Sequence, residues 1–311
     1  MKKTKYIAFG LLIVALAGCK KYQITQAGSP ATSTQIKLIN VAPGLGAVDG
    51  YINTKQVTPE TSISVTDNSI PVAITTGFYF VGNTIFREVY PGANYLSAPS
   101  GSTAIKIVAS TPVPALTSPQ PISPGTVISD ITQATTDGSA YSAFVIGLPG
   151  SATTGLTTKI VPDNFAGTDA TKAYVRFINA VPNGAPYDLQ ATYTPTGGVA
   201  TTSVVTTNTA YPNITDFTVV SVNPISTTNY TFQMYLTGTT NKFGAISSTI
   251  VLQPGRYYTI IGRGLAVDYA IPNTNIVLKA TARPTLPVTD PNTKLPELYF
   301  NAPGITSYTN K

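Results

Sequence analysis

IKLINVAPG, residues 36–44, returns as YVRFINAVPNG at 174–184 and in shortened form as LYFNAPG at 298–304. The three copies align on one asparagine, at Asn40, Asn179 and Asn301, so the intervals are 139 residues (40 to 179) and 122 residues (179 to 301). Each interval has the length of a domain and is longer than a typical solenoid repeat. The repeat therefore predicts two tandem domains and a third copy that stops after its first strand.

Side-chain alternation and composition both favour strands. In the second copy Val175 and Phe177 flank Arg176, so we expect the two apolar side chains to face a core and Arg176 to face solvent. A second alternating run covers 230–236, and no stretch shows a sustained helical period. The chain is 42% hydrophobic, which is enough for packed cores, and only 10% charged, so neutral hydroxyls and amides must cover its surface. These features predict an all-β, extracytoplasmic protein of sandwich or barrel domains.

The N-terminus is typical of a bacterial lipoprotein signal peptide. Three lysines precede an apolar run at 6–16, and Leu-Ala-Gly-Cys follows at 16–19 with the only cysteine of the chain. The run is too short to span a bilayer, which takes about 20 residues. We expect Cys19 to be acylated and to become the mature N-terminus. The alternative is an ordinary secretory signal with an incidental Cys19.

A lipidated Cys19 would anchor the protein in the outer membrane. Lys20 and Lys21 then lie beside the anionic head groups, and the position after Cys19 lacks the aspartate that would suggest retention in the inner membrane. The sequence leaves open whether the protein faces the periplasm or the cell exterior. With the signal removed, 16 basic residues stand against 13 acidic ones, a scattered excess that argues against a nucleic-acid partner.

The repeat landmarks divide the chain into five segments. We aligned 123–126 with 253–256 and 142–147 with 258–262, and we expect the polar junction at 163–172 to be a solvated linker. The predicted segments are a signal peptide at 1–18, a lipidated linker at 19–34, sandwich domains at 35–168 and 169–289, and a tail at 290–311. We expect the tail to dock on the second domain or at the interdomain cleft by adding a strand. The alternatives are a disordered tail and a docking strand for a partner protein.

Several motifs together resemble domain of unknown function 4397, a family of secreted and lipid-anchored bacterial proteins. These motifs are Asn-x-x-Pro after the first strand, the steps Val48-Asp49 and Tyr187-Asp188, an Ala-Pro-Ser-Gly turn at 98–101, and Pro-Gly before an aromatic strand. The resemblance covers nearly all of the mature chain in two copies. It implies immunoglobulin-like β-sandwiches and no particular activity. The second copy departs from the pattern at 222–224, where Val-Asn-Pro replaces the turn.

The residue types present in the chain limit which catalytic mechanisms are possible. The chain has no histidine, which excludes serine and cysteine triads and histidine-ligated zinc. A hydrolase with two carboxyl groups remains open, because it needs no histidine. A calcium site at the 163–169 junction lacks the spacing of a calcium loop. We expect no cofactor and no metal.

Four polar residues recur at equivalent positions of the two copies. Asn40 and Asn179 end the first strand, and Asp49 and Asp188 follow the next turn. Such side chains either contact a ligand or bind backbone N–H groups and fix a turn. Their duplication favours the structural role.

Aromatic residues offer another possible contact surface. Tyr79, Tyr90, Tyr95 and Tyr257 are candidates for stacking on sugar rings or on a protein partner, although ordinary core packing explains most such rings. The sequence therefore favours a non-catalytic envelope lipoprotein that acts as a binding, adhesion or structural module, with an unidentified protein or glycan partner. The alternatives are a glycan-binding surface lipoprotein of a polysaccharide-uptake system and a carboxylate-based hydrolase.

Overall fold

The computed structural model describes residues 33–67, 70–77, 89–92, 94–117, 120–167, 169, 171–195, 198–223, 228–281 and 302–311. All regular secondary structure in these ranges is β-strand. The predictions of an all-β fold and of tandem immunoglobulin-like sandwiches are confirmed. Nowhere in these ranges does the chain form a helix that could span a membrane. Cys19, the signal peptide and Tyr79 lie outside the described residues.

The first domain is a sandwich of two sheets. Its strands are β1 (Ser33–Asn40), β2 (Val48–Ile52), β3 (Lys55–Gln56), β4 (Thr61–Asp67), β5 (Ile70–Thr76), β6 (Val89–Tyr90), β7 (Leu96–Pro99), β8 (Gly101–Ala109), β9 (Val127–Thr135), β10 (Ala140–Ile146) and β11 (Thr157–Pro162). The first outer sheet has the order β3-β2-β8-β9. The first inner sheet has the order β11-β10-β1-β6, with β7 also paired to β1. Strands β4 and β5 form a separate hairpin.

The second domain repeats this arrangement. Its strands are β12 (Lys172–Asn179), β13 (Tyr187–Tyr193), β14 (Thr201–Thr209), β15 (Thr218–Ser221), β16 (Thr228–Leu236), β17 (Lys242–Phe243), β18 (Ile250–Leu252), β19 (Tyr257–Arg263), β20 (Tyr269–Ala270), β21 (Val277–Leu278) and β22 (Gly304–Thr309). The second inner sheet has the order β15-β12-β19-β22. The second outer sheet has the order β14-β13-β16-β17, with β18 also paired to β16. Strands β20 and β21 form a small hairpin.

In both domains the first strand pairs in parallel with a late strand of the same domain. Strand β1 lies beside β10, and β12 lies beside β19. A constant-type immunoglobulin domain instead keeps its first and last strands in different sheets. The sandwich architecture is therefore shared with that class, while the strand order differs.

The strand register corrects part of the repeat alignment. Because Asn40 pairs with Val145 and Asn179 with Gly262, position 147 corresponds to 264 and the turn at 136–139 corresponds to 253–256. Gly138 and Gly255 both have φ of 72°, in the left-handed region that favours glycine. The Pro-Gly pair at 124–125 precedes β9 instead. The alignment of 123–126 with 253–256 is therefore wrong, because turn sequences are short and similar ones recur along a chain.

Each domain has its own core between its two sheets. The first contains mainly aliphatic side chains of β1, β2, β8 and β10, and the second adds large aromatic ones such as Tyr187 and Phe232. All seven residues of β10 are buried. A strand can be buried throughout only if both of its faces are covered, which indicates a further layer beyond the inner sheet.

The end of the chain completes the second domain. Strand β22 pairs antiparallel with β19 and occupies the position that β11 holds beside β10. The tail thus adds a strand to the second domain, as the sequence analysis expected, but it does so with 304–309. The expected pairing segment, 298–300, lies outside the described residues.

Candidate functional site

The two inner sheets pack against each other, and residues 32–311 form one compact unit. Their facing side chains form a hydrophobic cluster that draws on both domains, which we call the interdomain core: Ile39, Val41, Phe144, Ile146, Val161, Ile178, Ala180, Ile261 and Tyr308. A second contact lies where the β20–β21 hairpin reaches the first domain. There Leu148 packs with Leu265 and Leu278, and the Tyr269 hydroxyl donates to the Pro149 carbonyl over 2.9 Å.

Two cations lie at equivalent positions in this interface. Lys37 of β1 and Arg176 of β12 each precede the shared asparagine by three residues, and their exposed fractions are 0% and 3%. The expectation that Arg176 faces solvent is therefore wrong. Alternation correctly separated it from the core of its own domain, but the face it occupies is covered by the other domain.

Arg176 is bound from both domains. Its guanidinium forms a buried ion pair with Asp163 and donates to the hydroxyls of Ser142 over 3.2 Å and Thr259 over 2.9 Å. The Phe217 ring lies 4.6 Å from the guanidinium carbon, in cation–π geometry. Removing Asp163 would leave the Arg176 charge buried without a counter-ion.

Asp163 also receives two neutral donors. The hydroxyls of Tyr95 and Ser142 donate to its Oδ2 over 2.6 and 2.7 Å. Two residues later Phe165 packs edge-on against Tyr257 at 4.9 Å between ring centroids. The expectation of a solvated linker at 163–172 is wrong for this part of the junction, because both side chains are held in the interface.

Lys37 has weaker partners than Arg176. Its ammonium donates to the Thr309 carbonyl over 3.1 Å and lies 4.6 Å from the centre of the Tyr95 ring and 5.4 Å from that of Tyr308. Burial lowers the pKa of Lys37 from 10.5 to about 8, and the charge of Asp163 opposes this shift only in part. The ammonium is thus held by a dipole and two ring faces instead of a carboxylate.

One difference between the domains bears directly on the charge that faces each cation. The register of β11 on β10 and of β22 on β19 makes Asp163 and Asn310 equivalent. Asn310 accepts from Thr259 over 2.7 Å and donates to Tyr95 over 3.2 Å, but it carries no charge. The position that carries a carboxylate in the first domain therefore carries an uncharged amide in the second.

The duplicated asparagines hold the turns that follow the first strands. The Oδ1 atoms of Asn40 and Asn179 accept the N–H groups of Ala42 over 3.3 Å and Val181 over 3.1 Å. The Nδ2 of Asn179 also donates to the Thr209 carbonyl over 2.9 Å. Both asparagines are buried, so these bonds satisfy groups that have little access to water.

Asp188 binds two backbone segments of the second domain, the end of β14 and the turn after β16. Its carboxylate accepts the N–H of Asn208 over 2.7 Å and that of Gly238 over 3.0 Å. Burial would raise the pKa of Asp188, but these bonds and the Thr237 hydroxyl more than offset it, so the pKa lies below its ordinary value. The carboxylate is thus suited to fixing loops while charged.

Asp49, at the equivalent position of the first domain, has the opposite electrostatics. Burial raises its pKa, the Ser110 hydroxyl opposes that rise, and the charge of Glu60 adds to it. Its Oδ1 is buried and has no hydrogen-bond partner among the residues that the structure describes. The same position thus carries a charged anchor in one domain and a more easily protonated carboxyl in the other.

The three aromatic candidates that the structure describes do not form an exposed row. Tyr257 is only 1% exposed, and its ring stacks on Tyr174 at 4.4 Å. Its assignment as a contact residue is therefore wrong, since its ring faces are covered. Tyr90 and Tyr95 are half-buried, and Tyr95 belongs to the interface. Buried aromatics contribute here by packing, as most do.

An open cleft lies along the seam between the domains, beside the interdomain polar groups. We call it the seam cleft; it measures about 980 Å³, and its lining includes Tyr95, Asn164, Phe165, Arg256 and Lys311. That volume suits a small ligand or an oligosaccharide segment. The described ranges contain no grouping of three or more acidic, cysteine or histidine residues that could hold a metal ion.

No protein-family model and no curated protein sequence matches this chain. Among solved structures, one described as a "putative cell adhesion protein" from Bacteroides eggerthii DSM 20697 is 10% identical, with coverage of 90% of this chain and 97% of that chain. The TM-score is 0.19, which is too low to support an argument about fold or function. The functional conclusions therefore depend on the residues described above.

Proposed function

We propose that this chain is a lipid-anchored outer-membrane protein whose two sandwiches act as one rigid, non-catalytic module for binding, adhesion or structural support. The main support for this proposal is the apolar interface between the two domains. Domains joined by small polar contacts usually move relative to each other, whereas a large apolar interface holds them in place. Here an interdomain core and a buried ion pair both join the inner sheets.

The chemistry of the interface supports a structural role more than a catalytic one. Arg176 and Asp163 neutralise each other and direct their remaining hydrogen bonds to Ser142, Thr259 and Tyr95. A catalytic acid or base needs a proton or lone pair that a substrate can reach. Groups that satisfy one another in the protein interior meet that need poorly.

Rigidity can be tested by distance measurements between the domains. Spin labels at Val127→Cys on β9 and Val251→Cys on β18, in a chain where Cys19 is replaced by Ser, should give one narrow distance distribution. Both positions are exposed, so labelling should leave the core intact. A broad distribution in the otherwise unaltered chain would contradict the proposal.

The anchor rests on Leu-Ala-Gly-Cys at 16–19. Two or more acyl chains give stable membrane attachment, so Cys19→Ser should move the protein from the membrane to the soluble fraction. Protease treatment of intact cells then distinguishes a periplasmic from an external position. Membership of the domain of unknown function 4397 family is part of the same proposal, and it rests on the motifs quoted above.

A second candidate function, glycan binding, is favoured by the seam cleft. Sugar rings can stack on aromatic side chains such as those of Tyr95 and Phe165. The Asn164 amide, in the same lining, could form hydrogen bonds with sugar hydroxyls. Arg256→Ala and Asn164→Ala alter the cleft without touching the buried ion pair. If the cleft binds glycans, soluble polysaccharides should retard the native chain in affinity electrophoresis and retard these variants less. Equal mobility with and without polysaccharide would exclude this function for the glycans tested.

A further inference from the structure

We propose that the amine of Lys37 and the side-chain amide of Asn310 join in an intramolecular isopeptide bond, which links the two domains covalently. Lys37 lies on β1 of the first domain, and Asn310 directly follows β22 of the second. Both side chains are buried in the interface between the domains, with exposed fractions of 0% and 3%. The bond connects the first described strand of the chain to the last.

The equivalence of the two buried cations places the Lys37 amine beside this amide. In one half of the interface, the Nη1 of Arg176 donates over 3.4 Å to the carbonyl of the residue before Asp163, and its Nη2 binds the Asp163 carboxylate. In the other half, the Nζ of Lys37 donates over 3.1 Å to the carbonyl of the residue before Asn310. The amine thus holds the place of Nη1, and Asn310 holds that of Asp163. Since Nη1 and Nη2 share one carbon atom, an amine in the first place lies next to the group that the second one binds.

Further contacts orient the Asn310 amide for attack. The Thr259 hydroxyl donates to its Oδ1 over 2.7 Å, and such a donor stabilises the negative charge that builds up on the oxygen when an amine attacks. Its Nδ2 donates to the Tyr95 hydroxyl over 3.2 Å. The Lys37 amine lies 4.6 Å from the centre of the same Tyr95 ring. Tyr95 therefore contacts both reacting groups.

Burial supplies the uncharged amine that the reaction needs. With the pKa of Lys37 lowered to about 8, about one amine in ten is neutral at pH 7, compared with about one in three thousand at a pKa of 10.5. The folded chain also holds amine and amide together, which removes most of the entropic cost of bringing two reactants into contact. Exclusion of water limits the competing hydrolysis of the amide.

The reaction exchanges one amine for another. The lone pair of Nζ attacks the Cγ atom of Asn310, and the Cγ–Nδ2 bond breaks. The proton that Nζ loses goes to Nδ2, which leaves as ammonia, so no oxidant or further reactant is consumed. The Tyr95 hydroxyl is placed to pass this proton, because it contacts Nδ2 and donates to Asp163 over 2.6 Å. The product replaces a buried ammonium with a neutral amide, which removes a costly charge from the interface.

Mass spectrometry of the chain from Lys20 to Lys311 tests the proposal. Bond formation makes the intact chain lighter by one ammonia molecule. Trypsin cuts after free lysines, but it does not cut after a Lys37 whose amine carries an amide. The digest should therefore contain one branched peptide that joins residues 22–55 to residues 295–311.

Two variants and a matched control make the result specific. Lys37→Arg keeps the positive charge, in a place where the second domain already holds a guanidinium, but it removes the nucleophile. Asn310→Ala removes the group that is attacked. Both should lose the branched peptide completely, whereas Lys159→Arg, on β11 of the first domain, should retain it. Since a bonded nitrogen no longer titrates, the pKa of Lys37 applies to the chain before the bond forms.

The position of the bond decides the outcome. An Asn-Gly pair, present at 183–184, can also lose ammonia by forming a succinimide, so the branched peptide and not the intact mass is the decisive reading. The proposal is overturned if the native chain is folded by circular dichroism but yields Lys37 and Asn310 only in separate, unmodified peptides. A branched peptide that persists in Asn310→Ala overturns it as well.

Discussion

The two domains share the pairing pattern of their inner sheets, yet they treat one equivalent buried cation differently. Arg176 of the second domain meets the carboxylate of Asp163 from the first. Among the described residues, Lys37 of the first domain contacts the carbonyl of Thr309 and two aromatic rings, and the residue equivalent to Asp163 is the uncharged Asn310. The charge of Arg176 is thus neutralised by a carboxylate, whereas that of Lys37 is met by a carbonyl dipole and two ring faces.

Duplication of a fold therefore does not duplicate its electrostatics. An ion pair in the interior is costly to form but far more costly to break, because the remaining partner keeps a buried charge. An unpaired buried lysine instead adjusts by losing its proton more readily. Stability should therefore depend on mutation at the Arg176–Asp163 pair and on pH at Lys37.

The largest expected effect comes from removing the strand that completes the second inner sheet. Deletion of 302–311 removes β22 with Ile305 and Tyr308, both buried, and Asn310. Burial of each large apolar side chain is worth about 1.5–3 kcal/mol. Together with lost backbone pairing, we expect the free energy of unfolding to fall by about 5 kcal/mol or more. Urea denaturation measures it, and an unchanged midpoint would show that the tail is not part of the fold.

The Arg176–Asp163 pair is tested by Asp163→Asn. This variant keeps an oxygen acceptor but leaves the Arg176 charge buried without a counter-ion, which should cost about 3–5 kcal/mol of stability. Asp268→Asn is the matched control, since Asp268 pairs with Lys279 where both side chains are well exposed. That pair should contribute at most about 1 kcal/mol. Equal effects of the two variants in denaturant titrations would argue against a buried pair.

The pH dependence at Lys37 is tested by Lys37→Met. The pKa of Lys37 is about 8 in the folded chain and 10.5 when unperturbed, so between these values the unfolded chain binds more protons. Native stability should therefore contain a component that rises as the pH increases from 8 to 10.5. Lys37→Met should lack this component and should be at least as stable as the native chain at pH 7. An identical dependence of stability on pH for both chains would show that burial does not lower the pKa of Lys37.

The smallest expected effect concerns packing at one equivalent pair of positions. Val145 of β10 corresponds to Gly262 of β19, where a Cβ atom would lie 2.5 Å from the Met234 sulfur and 3.1 Å from the Phe177 ring. Gly262→Ala should therefore cost about 1–2 kcal/mol through overpacking, partly relieved by the flexible Met234. A Gly262→Ala, Met234→Leu double variant measures that relief. A stabilising Gly262→Ala would mean that the second domain has unfilled space there.

Local pattern was sufficient for the all-β class and for the two-fold repetition. Alternation requires only neighbouring residues, so it correctly placed Val175 and Phe177 in a core. The duplicated asparagines could be read as turn residues for the same reason, since their partners lie close in sequence, as Ala42 does to Asn40. The lipobox at Cys19 is likewise a contiguous signal.

Short-range patterns thus predicted the strand character and the repeat, but they misaligned one pair of turns. Only the tertiary structure decided what covers the second face of β1 and β12, and hence that Arg176 is buried and not solvated. It also decided that Asp163 belongs to an ion pair and that 304–309 forms the added strand. Whether the second face of a strand is buried depends on a sheet that lies far away in the sequence. Side-chain alternation within one strand carries no information about that sheet.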